Sequence, residues 1–223
     1  MCGRFTLTTD LDRLQERFAF HAANLAYTPR YNIAPTQPVL TLIKEKEEGH
    51  RVGFLRWGLI PSWAKDAAIG DRMINARAET VAEKPSFRRA LQKRRCLVFA
   101  DGFYEWQKEG KKKTPLYIAL RSREPFGFAG LWETWQSPAG ETIRSCTIIT
   151  TTPNTLMESI HNRMPVMLPR EAEALWLDRT VEDPQALLPL LVPYPAEAME
   201  AYAVSPLVNS PRNDTPVCIE PLA

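Results

Sequence analysis

Residues 95–106, RCLVFADGFYEW, carry the pattern that decides the fold. RCLVFA is an apolar run with β-branched and aromatic residues, the pattern of a buried strand. Asp101–Gly102 then reads as a tight turn, and GFYEW sets Glu105 between two aromatics. Runs of the same character recur along the chain: PVLTLI from Pro38, RVGFLRW from Arg51, PLYIAL from Pro115, GFAGLW from Gly127 and SCTIITT from Ser145. Helical patterns are fewer and short. TTDLDRLQERF places Leu11, Leu14 and Phe18 on one face behind a Thr/Asp cap. SFRRALQKR follows Ser86 as its expected cap, and REAEALWL and DPQALLPLL come late, the latter with Asp183 as cap and Pro184 at the first helical position. The order is not a regular βαβα alternation. It predicts an α+β fold, a single domain over residues 1–223, with a mainly antiparallel, barrel-like β core and short peripheral helices.

The 223 residues are 44% hydrophobic and 24% charged, an ordinary globular balance that needs no covalent staples. A net charge of +2 neither demands nor excludes a nucleic-acid partner. Cys2, Cys96, Cys146 and Cys218 are scattered without a CxxC pair. With only three histidines and no HxxxH, no metal site and no cofactor are expected. No signal-like or membrane-length apolar segment is seen, so the expectation is a reduced, cytoplasmic protein in which Cys2 is a free thiol. A monomer is expected.

Five segments are polar or conformationally unusual without being simple linkers: RYNIAPTQ (30–37), WGLIPSWA (57–64), INARAET (74–80), ADGFYEW (100–106) and HNRMP (161–165). Read as loops on a rigid scaffold, they are where function is expected. The chain opens MCGRF, and removal of Met1 leaves Cys2 with an α-amine and a thiol on adjacent carbons. An α-amine has a pKa of about 7.7–8.0 against about 10.4 for lysine, so a useful fraction is neutral near pH 7.5. A neutral amine attacks an aldehyde to give a Schiff base. The neighbouring thiol then closes a five-membered thiazolidine, an intramolecular step with a large effective molarity. The same pair also suits acyl transfer, with the amine as general base. Gly3 allows close backbone approach.

Partners for that chemistry are available. Glu105 in an aromatic setting suits proton transfer, and His161, beside Asn162 and Arg163, suits acid–base work or an anion contact. Asn75 and Arg77 share a face if INARAET is extended, a pairing that fits a sugar or base edge plus a phosphate. Arg4 lies two residues from Cys2. Trp57 reads as core and Trp63 as a surface on which an unpaired base could stack. Each has a plainer reading: a small buried cysteine, a glutamate on a β-ribbon, a loop histidine, a solvated polar strand. RRALQKRR (88–95) and Lys108 with Lys111–Lys113 make the first half basic, and the latter looks like a hairpin tip.

MCGRF, RYNIAP, WGLIPSW, INARAET, ADGFYEW and IHNRMP, in that order, resemble the signature blocks of the SRAP domain family (SOS response-associated peptidase), the abasic-site-processing proteins. The resemblance implies binding of single-stranded DNA at an abasic site and a covalent link from Cys2 to the ring-opened sugar aldehyde. It implies Cys2 as nucleophile, Asn75, Glu105 and His161 as its catalytic partners, and Arg4 and Arg77 as DNA contacts. Trp63 and Arg163 join these as candidate DNA contacts. It also implies removal of Met1 by a peptidase-like step and, in some members, a lyase activity that cleaves the strand. Two other readings remain open on residues alone: an N-terminal-nucleophile glutamine amidotransferase and a non-covalent single-stranded DNA binder. The first expects Asn-Gly and Gly-Asp turns, of which the chain has only Gly70–Asp71.

Overall fold

The computed structural model describes residues 2–22, 25–45 and 49–222. In chain order it contains β1 (Phe5–Leu7), α1 (Leu11–Phe18), β2 (Arg30–Ile33), β3 (Pro38–Glu45), β4 (Gly49–Trp57), β5 (Asn75–Arg77), α2 (Arg88–Lys93), β6 (Arg95–Ala100), β7 (Gly102–Glu109) and β8 (Lys112–Leu120). There follow β9 (Phe126–Gln136), β10 (Thr142–Thr151), β11 (Met164–Pro165), β12 (Met167–Leu168), α3 (Arg170–Leu177), α4 (Pro184–Leu187) and β13 (Met199–Ala203), with short 3₁₀ turns between them.

Five strands close a barrel in the order β10–β4–β3–β6–β9, with β9 pairing back onto β10. Four of its pairings are antiparallel. Around a ring of five, strand directions cannot alternate throughout, so one neighbouring pair must run parallel. That seam is β4–β10, where Ser145 faces Arg56 and Cys146 faces Trp57. Beyond Trp57, β5 takes over the same edge of β10, also parallel, with Asn75 opposite Ile148 and Arg77 opposite Thr150.

A second, fully antiparallel sheet runs β13–β8–β7–β1–β2. Alternation along β7 sends Phe103 toward the barrel and Tyr104 the other way. On the barrel side Phe5 meets Trp57 edge-to-face at 5.1 Å, and Phe103 and Phe5 both pack on Phe128. On the other side Tyr104 and Tyr117 are covered by the C-terminal segment through Val204, Val208 and Cys218. The four cysteines are buried and unpaired.

The expected strands and the α+β class hold, and α3 spans the same eight residues as the REAEALWL pattern. Asp10 caps α1, accepting from Arg13 N at 2.9 Å, and Asp183 caps α4 with Pro184 at its first turn. Three expectations change. RYNI of the RYNIAPTQ segment and GFYEW of the ADGFYEW segment, read as loops, lie in strands β2 and β7, because partners in β1 and β8 satisfy their backbones. Ser86 does not cap α2, which starts one residue later behind Phe87 and has no side-chain cap. Gly102 is required less by a turn than by Tyr117, whose hydroxyl would lie 2.1 Å from an added Cβ.

Arg95, within the basic run, is not a surface charge. It is buried and donates to the carbonyls of Leu91 and Gln92 at the end of α2 and of Trp176 and Asp178 at the end of α3. Burial pushes its guanidinium down to about 10, the charges of Asp178 and Glu182 pull it back up, and its hydrogen bonds go to two sets of helix C-terminal carbonyls. Arg95→Met should destabilise the fold by about 3–5 kcal/mol, because several buried carbonyls lose a charged donor. Lys93→Ala, which breaks a half-exposed pair with Glu182, should cost under about 1 kcal/mol. Urea midpoints at unchanged m-value check both.

Candidate active site

The N-terminal strand brings Cys2 into the space between the two sheets. Phe5 pairs with Phe103, Thr6 with Gly102, and Tyr104 N donates to Arg4 O at 3.0 Å. Continuing that register toward the N-terminus runs Cys2 back past Glu105. Below it, Asp101 anchors the strand's far end, accepting from the hydroxyl of Thr6 at 2.6 Å and the amide of Thr9 at 2.8 Å. Cys2 is fully buried, and its thiol lies 4.0 Å from Arg4 O. Burial pushes that thiol well above the ordinary cysteine range, and the charge of Glu105 pushes it further. Met1, whose removal the sequence reading expects, lies outside the described residues.

Three further elements meet Cys2. From β5, the amide of Asn75 donates to Cys2 O at 2.8 Å, while its Oδ1 is buried with no hydrogen-bond partner among the described residues. From β7, Glu105 follows Phe103 on the barrel-facing side and is only 4% exposed. Burial raises its carboxyl above the usual carboxylate range, and the nearby His161 pulls it the other way. From the loop after β10 comes His161, near enough for its charge to act on that carboxylate. Its Nδ1 accepts from Arg163 N at 3.0 Å and lies 3.2 Å from Arg163 O. A neutral ring accepts the amide and leaves its proton on Nε2; a charged ring donates Nδ1–H to the carbonyl. The Arg163 backbone thus fixes the orientation of the imidazole through Nδ1.

The four expected catalytic positions thus converge from four separate segments. The expected DNA contacts divide. Arg77 is exposed on the same face of β5 as Asn75, since Ala76 between them points into the core. Trp63 is 59% exposed, whereas Trp57 is fully buried, with its indole donating to Ile74 O. Arg4, in contrast, donates to Asn32 Oδ1 at 2.6 Å and Val208 O at 2.8 Å and lies over the Trp106 ring. Arg163 grips both oxygens of Glu79 and reaches Thr150 O at 2.5 Å. In this structure both guanidiniums are committed to protein partners.

Several residues that shape the site carry no separate signal in the sequence. Asn32, fully buried, accepts from Arg4 and donates to the carbonyls of Val208, Ser210 and Asn213. Asp214 accepts from the amides of Tyr31 and Asn32. Asn209 accepts from the Trp106 indole at 2.7 Å. Together they strap the C-terminal segment across β2 and the N-terminal strand. Glu79, through Arg163, ties the His161 loop to the segment that carries Asn75. Asn32 and Glu79 lie inside the quoted RYNIAP and INARAET blocks, and that membership was the only available clue. Among the described residues no group of three or more His, Cys, Asp or Glu side chains could hold a metal, and no helix is long and apolar enough to cross a membrane.

Cys2 thus lies among an amide, a carboxyl and an imidazole beside a closed barrel. The family described as "SOS response associated peptidase (SRAP)" matches residues 1–211, and the chain belongs to it. It is 53% identical over 223 residues to the abasic site processing protein YoqW of Bacillus subtilis, covering 99% of both chains. It is 35% identical to the abasic site processing protein HMCES of Rattus norvegicus, matched over 87% of this chain and 65% of that one. A crystal structure of a protein from Bacteroides thetaiotaomicron superposes with a TM-score of 0.91 at 28% identity, covering all of both chains.

Proposed function

We propose that this chain, like the relatives named for it, processes abasic sites in DNA, and that it does so by forming a covalent crosslink through Cys2. The convergence of Asn75, Glu105 and His161 on Cys2 is the observation that carries this reading. Removal of Met1 frees the Cys2 amine. His161 moves a proton at the ring oxygen of the abasic deoxyribose, opening it to the C1′ aldehyde. The neutral amine attacks C1′, and the carbinolamine loses one water to give an imine. The thiol then adds to C1′, its proton passing through Glu105 to the imine nitrogen, and a thiazolidine results. The raised thiol fits this order, because a protonated thiol waits while the amine attacks first. A Glu105 carboxyl held above its usual range is suited to exchanging those protons near neutrality.

The open Oδ1 of Asn75 is placed to accept a hydrogen bond from the sugar or the amine, while its amide fixes Cys2. Arg77 takes a phosphate on the exposed face of β5, and Trp63 stacks on an unpaired base. Arg4 and Arg163 serve chiefly through the straps described above, with His161 supplying an additional phosphate contact. Strand cleavage by β-elimination is a side path from the imine.

Intact-mass analysis after incubation with single-stranded DNA bearing one abasic site tests the proposal. The expected species is the chain without Met1 plus the oligonucleotide less one water. Ammonia release from glutamine with no DNA adduct would instead establish the amidotransferase reading.

A further inference from the structure

Away from Cys2, α2 borders two clefts that share Arg89. The first runs between the Pro61–Trp63 loop and the start of α2, lined by Trp63, Arg88, Arg89 and Glu133. The second is ringed by Arg89, Lys93, Arg94 and Arg179, with Glu182 at its edge. Joined through Arg89, they form one track with five cationic side chains and two carboxylates. Glu133 pairs with Arg94 and Glu182 with Lys93. Among the described residues Arg88, Arg89 and Arg179 have no carboxylate partner.

The track is under-neutralised as well as basic. Burial lowers the Arg94 guanidinium, and the charges of Arg89 and Arg179 lower it further, so three guanidiniums crowd together. A run of phosphates would relieve that repulsion with a spacing no single carboxylate offers. At one end stands the exposed indole of Trp63. Its loop is fastened beside the lesion site: Leu59 N donates to Met73 O at 3.1 Å and the Trp57 indole to Ile74 O at 2.9 Å, immediately before Asn75. The start of the Trp63 loop is thus bonded to the residues just before Asn75 and Arg77, and Trp63 itself lines the cleft that continues through Arg89 to Arg179.

We infer that the Trp63–Arg89–Arg179 track binds the sugar–phosphate backbone of undamaged single-stranded nucleic acid flanking the reacting nucleotide. The inference rests on the proposed DNA reading for its direction but concerns residues with no part in the crosslinking chemistry. A single strand is favoured over duplex because Trp63 offers a stacking face only to an unpaired base.

The test is the variant Arg89→Ala/Arg179→Ala, which removes two surface charges without opening the core. Binding is measured on undamaged thymidine oligonucleotides of about 6 and about 16 nucleotides, lengths that bracket one site. The unaltered chain should bind the longer strand at least tenfold more tightly. The double variant should lose that advantage, its salt slope on the long strand falling by about 1.4, and keep its affinity for the short strand. On a short abasic oligonucleotide its adduct yield should match that of the unaltered chain. Equal losses on both lengths, an unchanged salt slope, or competition by polyglutamate as effective as by DNA would overturn the track. If neither protein forms an adduct while the length-dependent loss persists, the crosslinking proposal fails and the track stands.

Discussion

Cys2→Ser should abolish the heat-stable DNA adduct while leaving an adduct that borohydride can trap. The variant keeps an α-amine after Met1 removal, so the imine still forms at C1′. It has no thiol to close the ring, and the imine returns to amine and aldehyde in water. Ring closure is where the stability arises, since a nucleophile three bonds from the imine nitrogen acts at an effective concentration of about 10⁵ M or more. Without reductant the yield surviving denaturing electrophoresis should fall at least about 10²-fold. With the thiol gone the imine persists longer, and strand cleavage by β-elimination should rise. The backbone contact from Asn75 to Cys2 O does not involve the side chain, so non-covalent binding to single-stranded DNA should survive. A full yield of stable adduct from Cys2→Ser in the absence of reductant would remove the thiazolidine from the proposal.

Glu105→Gln should slow adduct formation by about 10²–10⁴-fold while holding or raising thermal stability. The two effects come from the same cause. Burial raises the Glu105 carboxyl above its unfolded value, so the folded state binds the proton more tightly than the unfolded chain does. Stability from this group is fully present below the ordinary carboxylate range and is lost as pH rises through the raised value. Glutamine is near-isosteric and neutral, and removes that loss without leaving a cavity. Between acidic and neutral pH the unaltered chain should therefore lose stability that the variant retains, as read by Tm across a pH series. A variant as fast as the unaltered chain would return Glu105 to a structural role. A variant much less stable at neutral pH would show that the ionised carboxylate is stabilising, contrary to the buried setting.

Much of the barrel was readable because its strands carry their own signal. RCLVFA, GFAGL and SCTIITT are buried on both faces, and their apolar runs needed no tertiary information. RYNI and GFYEWQKE were harder because their polar residues have distant partners. Asn32 bonds to carbonyls some 180 residues away, and Glu105 is buried where the N-terminal segment runs alongside β7. The site's members were visible as blocks, yet their roles depended on pairing. Arg4 and Arg163 look like free phosphate ligands in sequence, but Asn32 and Glu79 engage them. Arg95 shows the converse: the other four basic residues of its run, Arg88, Arg89, Lys93 and Arg94, lie on or near the surface, while Arg95 is buried and bonds the carbonyl ends of two helices.

The parallel seam at β4–β10 has one more consequence. The ring closes through β10, β4, β3, β6 and β9 alone, so β5 is not one of its staves. It rests against β10 like a splint on a finished hoop, held by three facing pairs. Residues 58–74, which lead into it, are bonded to the hoop at their start, where Gly58 N donates to Cys146 O and Ile60 N to the Ser145 hydroxyl, yet add no stave to it. The strand that carries Asn75 and Arg77 thus takes its position from the hoop without being needed to close it.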